Sequence, residues 1–160
     1  LAAYYLINFH HLDKFVYIKL ANAECSRRRF DAFQKAVKEL NSDAEIAVIN
    51  QNQLNTKLIQ LIHNQYYGLF CFNDELAYEA LKILNKEIPN VRKVLPRLHI
   101  VGYDCISTRI NGFTDLTSID FDYDEICHTA VKFLLNRFEN IKLEQQKIVF
   151  TVKLHQRKYI

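Results

Sequence analysis

Three sets of polar side chains stand where hydrophobic runs stop. Asn73 and Asp74 follow the run GLFCF at 68–72, and Asp104 follows LHIVGY at 98–103. Arg27, Arg28 and Arg29 come shortly after FVYIKL at 15–20. A carboxylate, a carboxamide and a guanidinium together suit a polyhydroxylated ligand, because neighbouring hydroxyls donate to Asp and accept from Arg or Asn. The same residues have structural duties. Asp74 stands where a helix needs an N-cap, and Asn73 can simply finish a strand. Asp104 has no such duty in the sequence, which makes it the leading candidate for a site role. Consecutive helical positions are about 100° apart, so the three arginines cannot all face one crevice. Cations in a first helical turn also oppose the helix dipole by about a few tenths of a kcal/mol each, which points to an acidic group or ligand nearby.

Other chemistry lacks its pattern. None of the histidines at 10, 11, 63, 99, 128 and 155 pairs with another at i, i+4, so no metal site is expected from ligand spacing. Cys25, Cys71, Cys105 and Cys127 have neither zinc-knuckle nor redox spacing and read as reduced, cytosolic thiols. With three glycines in the chain there is no phosphate-cradling loop. No nucleophile elbow or His-Glu-x-x-His pattern occurs, so no enzyme and no cofactor are expected.

The elements that must position these residues alternate along the chain. Residues 1–9 read as the end of a helix, 15–20 as a strand, and 26–40 as an amphipathic helix that Ser26 can cap. A strand at 45–50 and a helix at 54–63 follow. The continuous apolar run at 68–72 is a strand buried on both faces. A helix at 74–86, a connection bracketed by Pro89 and Pro96, and strands at 98–103 and 117–121 come next. A helix at 123–140, with Ile126, Ala130, Leu134 and Phe138 on one face, and a strand at 147–154 complete the pattern. Alternation of this kind predicts an α/β fold, a parallel sheet with helices on both faces, whose ligands bind beyond the carboxyl ends of the strands.

The chain has 160 residues, 49% of them hydrophobic and 24% charged, the balance of one globular domain or one lobe of a larger one. It begins at Leu1, as a piece of a longer protein would. Its longest apolar stretches are strand-sized, so no membrane span is expected. A net charge of +3, with basic residues clustered only at 27–29 and 155–158, argues against nucleic-acid binding by these residues.

The segment GLFCFNDELAYEALKILNKEIP, followed by LHIVGYDCI, resembles the C-terminal lobe of the lactose-repressor/galactose-repressor family. LTSID, DEICHTAVKFLL and the closing KLHQRKY continue the likeness, as do AAYYLINFHHLDKFVYI and CSRRRFDAFQKAV upstream. The resemblance implies a periplasmic-binding-protein-like, Rossmann- or flavodoxin-like lobe, a single partial domain over 1–160. Residues 117–140 would be its excursion to a first lobe outside this sequence. It implies a sugar or related effector held by Asp104, Asn73 and Arg27 or Arg29, and a homodimer face containing Tyr78 and Lys82. The whole protein would be a cytoplasmic repressor whose operator DNA is bound by a separate N-terminal headpiece. A sugar receptor of an ABC transporter shares the fold and is the alternative. His10, Ala32 and Cys127 stand where the family usually has glycine, and Asn50 and Gln51 lie where relatives often place a sugar-stacking aromatic.

Overall fold

The computed structural model describes residues 1–106, 116–139 and 146–156. Helix α1 (Ala2–Tyr4) runs into a π-helical turn, Tyr5–Phe9, and then β1 (Lys14–Lys19), α2 (Glu24–Leu40) and β2 (Glu45–Asn50). A 3₁₀ turn leads into α3 (Leu54–His63), β3 (Gly68–Cys71) and α4 (Asp74–Glu87). The short α5 (Val91–Val94), β4 (His99–Tyr103), β5 (Thr117–Phe121), α6 (Tyr123–Glu139) and β6 (Val152–His155) follow. The strands form one sheet in the order β2-β1-β3-β4-β5-β6. The first five are parallel, and β6 pairs antiparallel with β5. The order 2-1-3-4-5 is that of a doubly wound sheet whose strand order reverses between β1 and β3.

Side chains alternate across the strands, which divides the core in two. Val16 and Ile18 of β1 and Leu69 and Cys71 of β3 join α3 and α4 on one face. Phe15 and Tyr17 of β1 and Phe70 of β3 join α1 and α2 on the other. Both faces of β1 and β3 are therefore buried, which is why their sequences are almost unbroken apolar runs.

Several local expectations change. Helix α2 starts two residues before Ser26, at Glu24, with Ala23 as its N-cap. Ser26 instead lies buried. Its hydroxyl accepts from the Leu20 amide at 3.2 Å and its carbonyl accepts from Tyr17 Oη at 2.9 Å, so it fastens the helix to the end of β1. The connection between the two prolines contains a helical turn, α5, which buries Val91. The last strand is shorter than 147–154, because β5 offers partners only from Ser118 to Phe121. Helix α6 carries the expected apolar stripe, but none of its described residues is buried. Leu134 is 59% exposed and Phe138 81%. Residue 140, the end expected for this helix, and residues 157–160 of the closing basic run lie outside the described residues.

Candidate functional site

The carboxyl ends of β1, β3 and β4 meet around Arg29, which α2 carries across the reversal point of the sheet. Its guanidinium lies 3.6 Å from the centroid of the Tyr103 ring and 4.6 Å from that of Phe72. One nitrogen donates to the Phe72 carbonyl, and another stands 3.7 Å from the Asp104 carboxylate. Both side chains are about three-quarters buried, with 23% and 26% exposed. Stacking of this kind contributes about 1 kcal/mol and, with the carbonyl contact, fixes the plane of the guanidinium. Asp104 is held in the left-handed region at φ 92°, and its amide donates to the Ile119 carbonyl at 2.9 Å. The pair therefore stands on rigid supports: two aromatic rings and the backbones of three strands.

Asn73 is the N-cap of α4, and its Oδ1 accepts from the Leu76 amide at 3.0 Å. This corrects the expectation that Asp74 caps. Asp74 is the first helical residue and is fully buried. Its carboxylate accepts from Ser118 Oγ at 2.6 Å and from the Ile106 amide at 2.8 Å. Burial pushes its pKa up to about 6. Those hydrogen bonds pull it down, and the charge of Asp104 raises it. Gly102 makes the site possible, since a Cβ there would lie 2.0 Å from Asp74 Oδ1. The signal available beforehand was a glycine inside an otherwise bulky strand, which marks a close approach.

The three arginines diverge as helical spacing requires. Arg27 is exposed and bonds Glu24 at 2.6 Å and Asp31 at 3.2 Å, so the expected acidic neighbours come partly from its own helix. It also lines a hollow of about 560 Å³ at the ends of β1 and β2, with Lys19, Asn22, Phe30 and Asn50. Arg28 and Arg29 line a second hollow, of about 370 Å³, with Phe33, Phe70 and Tyr103. Neither of these two hollows is lined by Asn73 or Asp104. Tyr78 is half-buried against the α3–α4 core and Lys82 is exposed, both on α4. The loop after Asp104 lies mostly outside the described residues.

At the amino ends of the strands, sequence reasoning missed a second polar cluster. The rings of His10 and His99 stack with centroids 3.4 Å apart, and Tyr5 meets both edge-on. Burial, then the neighbouring His10, lowers the His99 pKa to about 4. Burial and then His11 lower that of His10. Two neutral imidazoles can stack where two cations would repel.

A mostly parallel sheet whose strand order reverses between β1 and β3 defines the class of doubly wound α/β lobes. Residues 4–158 match the periplasmic binding protein-like domain family, and the chain belongs to it. Solved structures similar to it include transcriptional regulators of the LacI family. A regulator from Enterococcus faecium with bound ribose is 20% identical with a TM-score of 0.73, over 98% of this chain and 59% of that one. A periplasmic binding protein/LacI transcriptional regulator from Alkaliphilus metalliredigens, complexed with D-xylulofuranose, is 20% identical with a TM-score of 0.75, over 98% and 61%. The Lac repressor bound to ONPG is 16% identical with a TM-score of 0.71, over 98% and 49%. The chain thus spans less than two thirds of the length of each. Among curated proteins, none matches it.

Proposed function

We propose that this chain is the effector-sensing part of a sugar-responsive transcription regulator, with Arg29, Asp104 and Asn73 as the ligand-holding groups. The observation that carries the reading is the Arg29–Asp104 pair, mounted on Tyr103 and Phe72 across the point where ligands bind in doubly wound sheets. The pair offers fixed donors and acceptors to vicinal hydroxyls. Asn73 spends its oxygen on the helix cap, which leaves its NH₂ end to donate. Of the two arginines expected at the effector, Arg29 takes that role in this reading, since Arg27 turns to Glu24 and Asp31 beside the first hollow. The ribose and xylulofuranose held by two of the structural neighbours support a sugar of this size.

In this reading a first lobe completes the cleft. Within the expected stretch 117–140, β5 stays in this sheet and the excursion leaves after Phe121; the exposed apolar stripe of α6 is the observation in favour. Dimerisation through the α4 face with Tyr78 and Lys82, operator binding through a separate headpiece, and a cytoplasmic setting belong to the same proposal. So does the absence of catalysis. Effector binding would shift lobe closure and with it the spacing of two DNA-binding heads.

The test is a calorimetric titration of the full-length protein with pentoses and hexoses, repeated with Asp104→Ala. Saturable binding that drops at least tenfold in the variant, with its melting curve nearly unchanged, is the expected result. Equal binding by both proteins would remove Asp104 from the site.

A further inference from the structure

The antiparallel end of the sheet gathers three metal-ligating side chains that lie far apart in sequence. Cys105 follows β4, Asp120 sits on β5 and His155 ends β6. The Cys105 Sγ, an Asp120 carboxylate oxygen and a His155 ring nitrogen all lie within 4.8 Å of one another. We propose that these three residues form a binding site for a divalent transition metal of the zinc class, with a fourth position left for water or an exogenous ligand.

The spacing suits one tetrahedral ion. His155 Nε2 and Asp120 Oδ2 are 3.2 Å apart. Two ligands with bonds of about 2.0–2.1 Å to one tetrahedral zinc stand about 3.3 Å apart, so this pair needs almost no movement. A zinc–sulfur bond of about 2.3 Å places sulfur about 3.6 Å from either partner. The thiol, within 4.8 Å of both partners, therefore has at most about 1.2 Å to close.

Two of the three ligands sit on paired strands, and the third, Cys105, lies in the loop just after β4. Ser118 and Asp120 share a face of β5, and Ser118 lies directly opposite His155, which makes carboxylate and imidazole diagonal neighbours. The Cys105 amide donates to Ser118 Oγ at 3.1 Å, so the backbone of the third ligand is tied to β5 as well. Ligands carried on a hydrogen-bonded sheet are held more precisely than ligands on loops. Burial is graded, from Cys105 at 1% exposed through the Asp120 side chain at 18% to His155 at 50%, which opens a way in from the imidazole side.

The donor set selects the ion. A thiolate, an imidazole and a carboxylate carry two negative charges, which a dication neutralises. Soft sulfur disfavours calcium and magnesium, which take oxygen ligands. A protonated His155 paired with Asp120 would show the same 3.2 Å contact without any metal, so the test must read the sulfur.

The measurement is a Co²⁺ titration of the whole protein in which the exposed Cys25 and Cys127 are replaced by serine. The expected result is a thiolate-to-cobalt charge-transfer band that saturates at one equivalent and is displaced by Zn²⁺. Cys105→Ser should abolish the band, and His155→Gln should weaken cobalt affinity at least tenfold. His155 is half exposed, so its variant decides the matter even if Cys105→Ser fails to fold. No charge-transfer band, or a band indifferent to His155→Gln, would overturn the site. Sugar binding plays no part in either outcome.

Discussion

The two ends of this sheet bury polar groups in opposite ways. At the carboxyl ends, charge is answered by charge and by amides: Arg29 by Asp104 and the Phe72 carbonyl, Asp74 by Ser118 and Ile106. At the amino ends, His10 and His99 are kept neutral inside aromatic packing, and His10 Nε2 is buried with no hydrogen-bond partner. The difference follows from parallel strands. The carboxyl ends lead into the N-termini of α2 and α4, where amides and partial positive charge welcome carboxylates. At the other end the strands are entered from helix C-termini, and the ionised Lys14 and Glu45 there answer each other near the surface, 3.4 Å apart.

The largest way to break the first end is Gly102→Ala, which drives a Cβ into the Asp74 carboxylate and against Leu116. A loss of about 3–5 kcal/mol is expected, the range for a disrupted buried charged network, measured by urea unfolding. The second end is tested by His99→Phe, which keeps a ring to stack on His10. The folded pKa of about 4 lies below the unfolded value of 6.5, so the folded state resists protonation. Wild type should thus lose up to about 3 kcal/mol relative to the variant as pH falls from 6.5 to 4.

Asp74→Asn sharpens the contrast, because its sign is reversed. The folded pKa of about 6 lies above the reference 3.8, so the folded state binds the proton more tightly. Wild type should gain about 2–3 kcal/mol on the variant as pH falls from above 6 to 4, and lose it again as pH rises. Paired unfolding curves at pH 4 and 7.5 for both variants should move in opposite directions. Parallel movement would dissolve the distinction between the two ends. The smallest effect is Asn73→Ala, a loss of about 1 kcal/mol from the missing cap, read from the melting temperature.

What the sequence shows of this arrangement depends on distance along the chain. Strands β1 and β3 are legible because both faces are buried, and the faces of α2 and α4 are legible from their spacing. The α/β class and the carboxyl-end location of Arg29, Asn73 and Asp104 follow from local pattern alone. Asp74 is misread because two adjacent residues both suit a cap, and only the distant Gly102 and Ser118 decide between them. Cys105, Asp120 and His155 show no ligand spacing, because strand pairing alone brings them together. The His10–His99 stack is invisible for the same reason: its rings come from residues before β1 and at the start of β4. The stripe on α6 reads correctly as a stripe, but periodicity cannot say what covers it.

The pairing of β5 with β6 has a mechanical consequence. The chain leaves the sheet at Phe121 and rejoins it at Val152, and these two residues are direct partners across the ladder. Whatever is built around α6 therefore hangs from two adjacent straps at one edge of the sheet. In such a suspension a change of a few backbone dihedrals at the straps is enough to swing the attached part, as at a hinge. A part carried there would pass its movement back to the sheet through Phe121 and Val152.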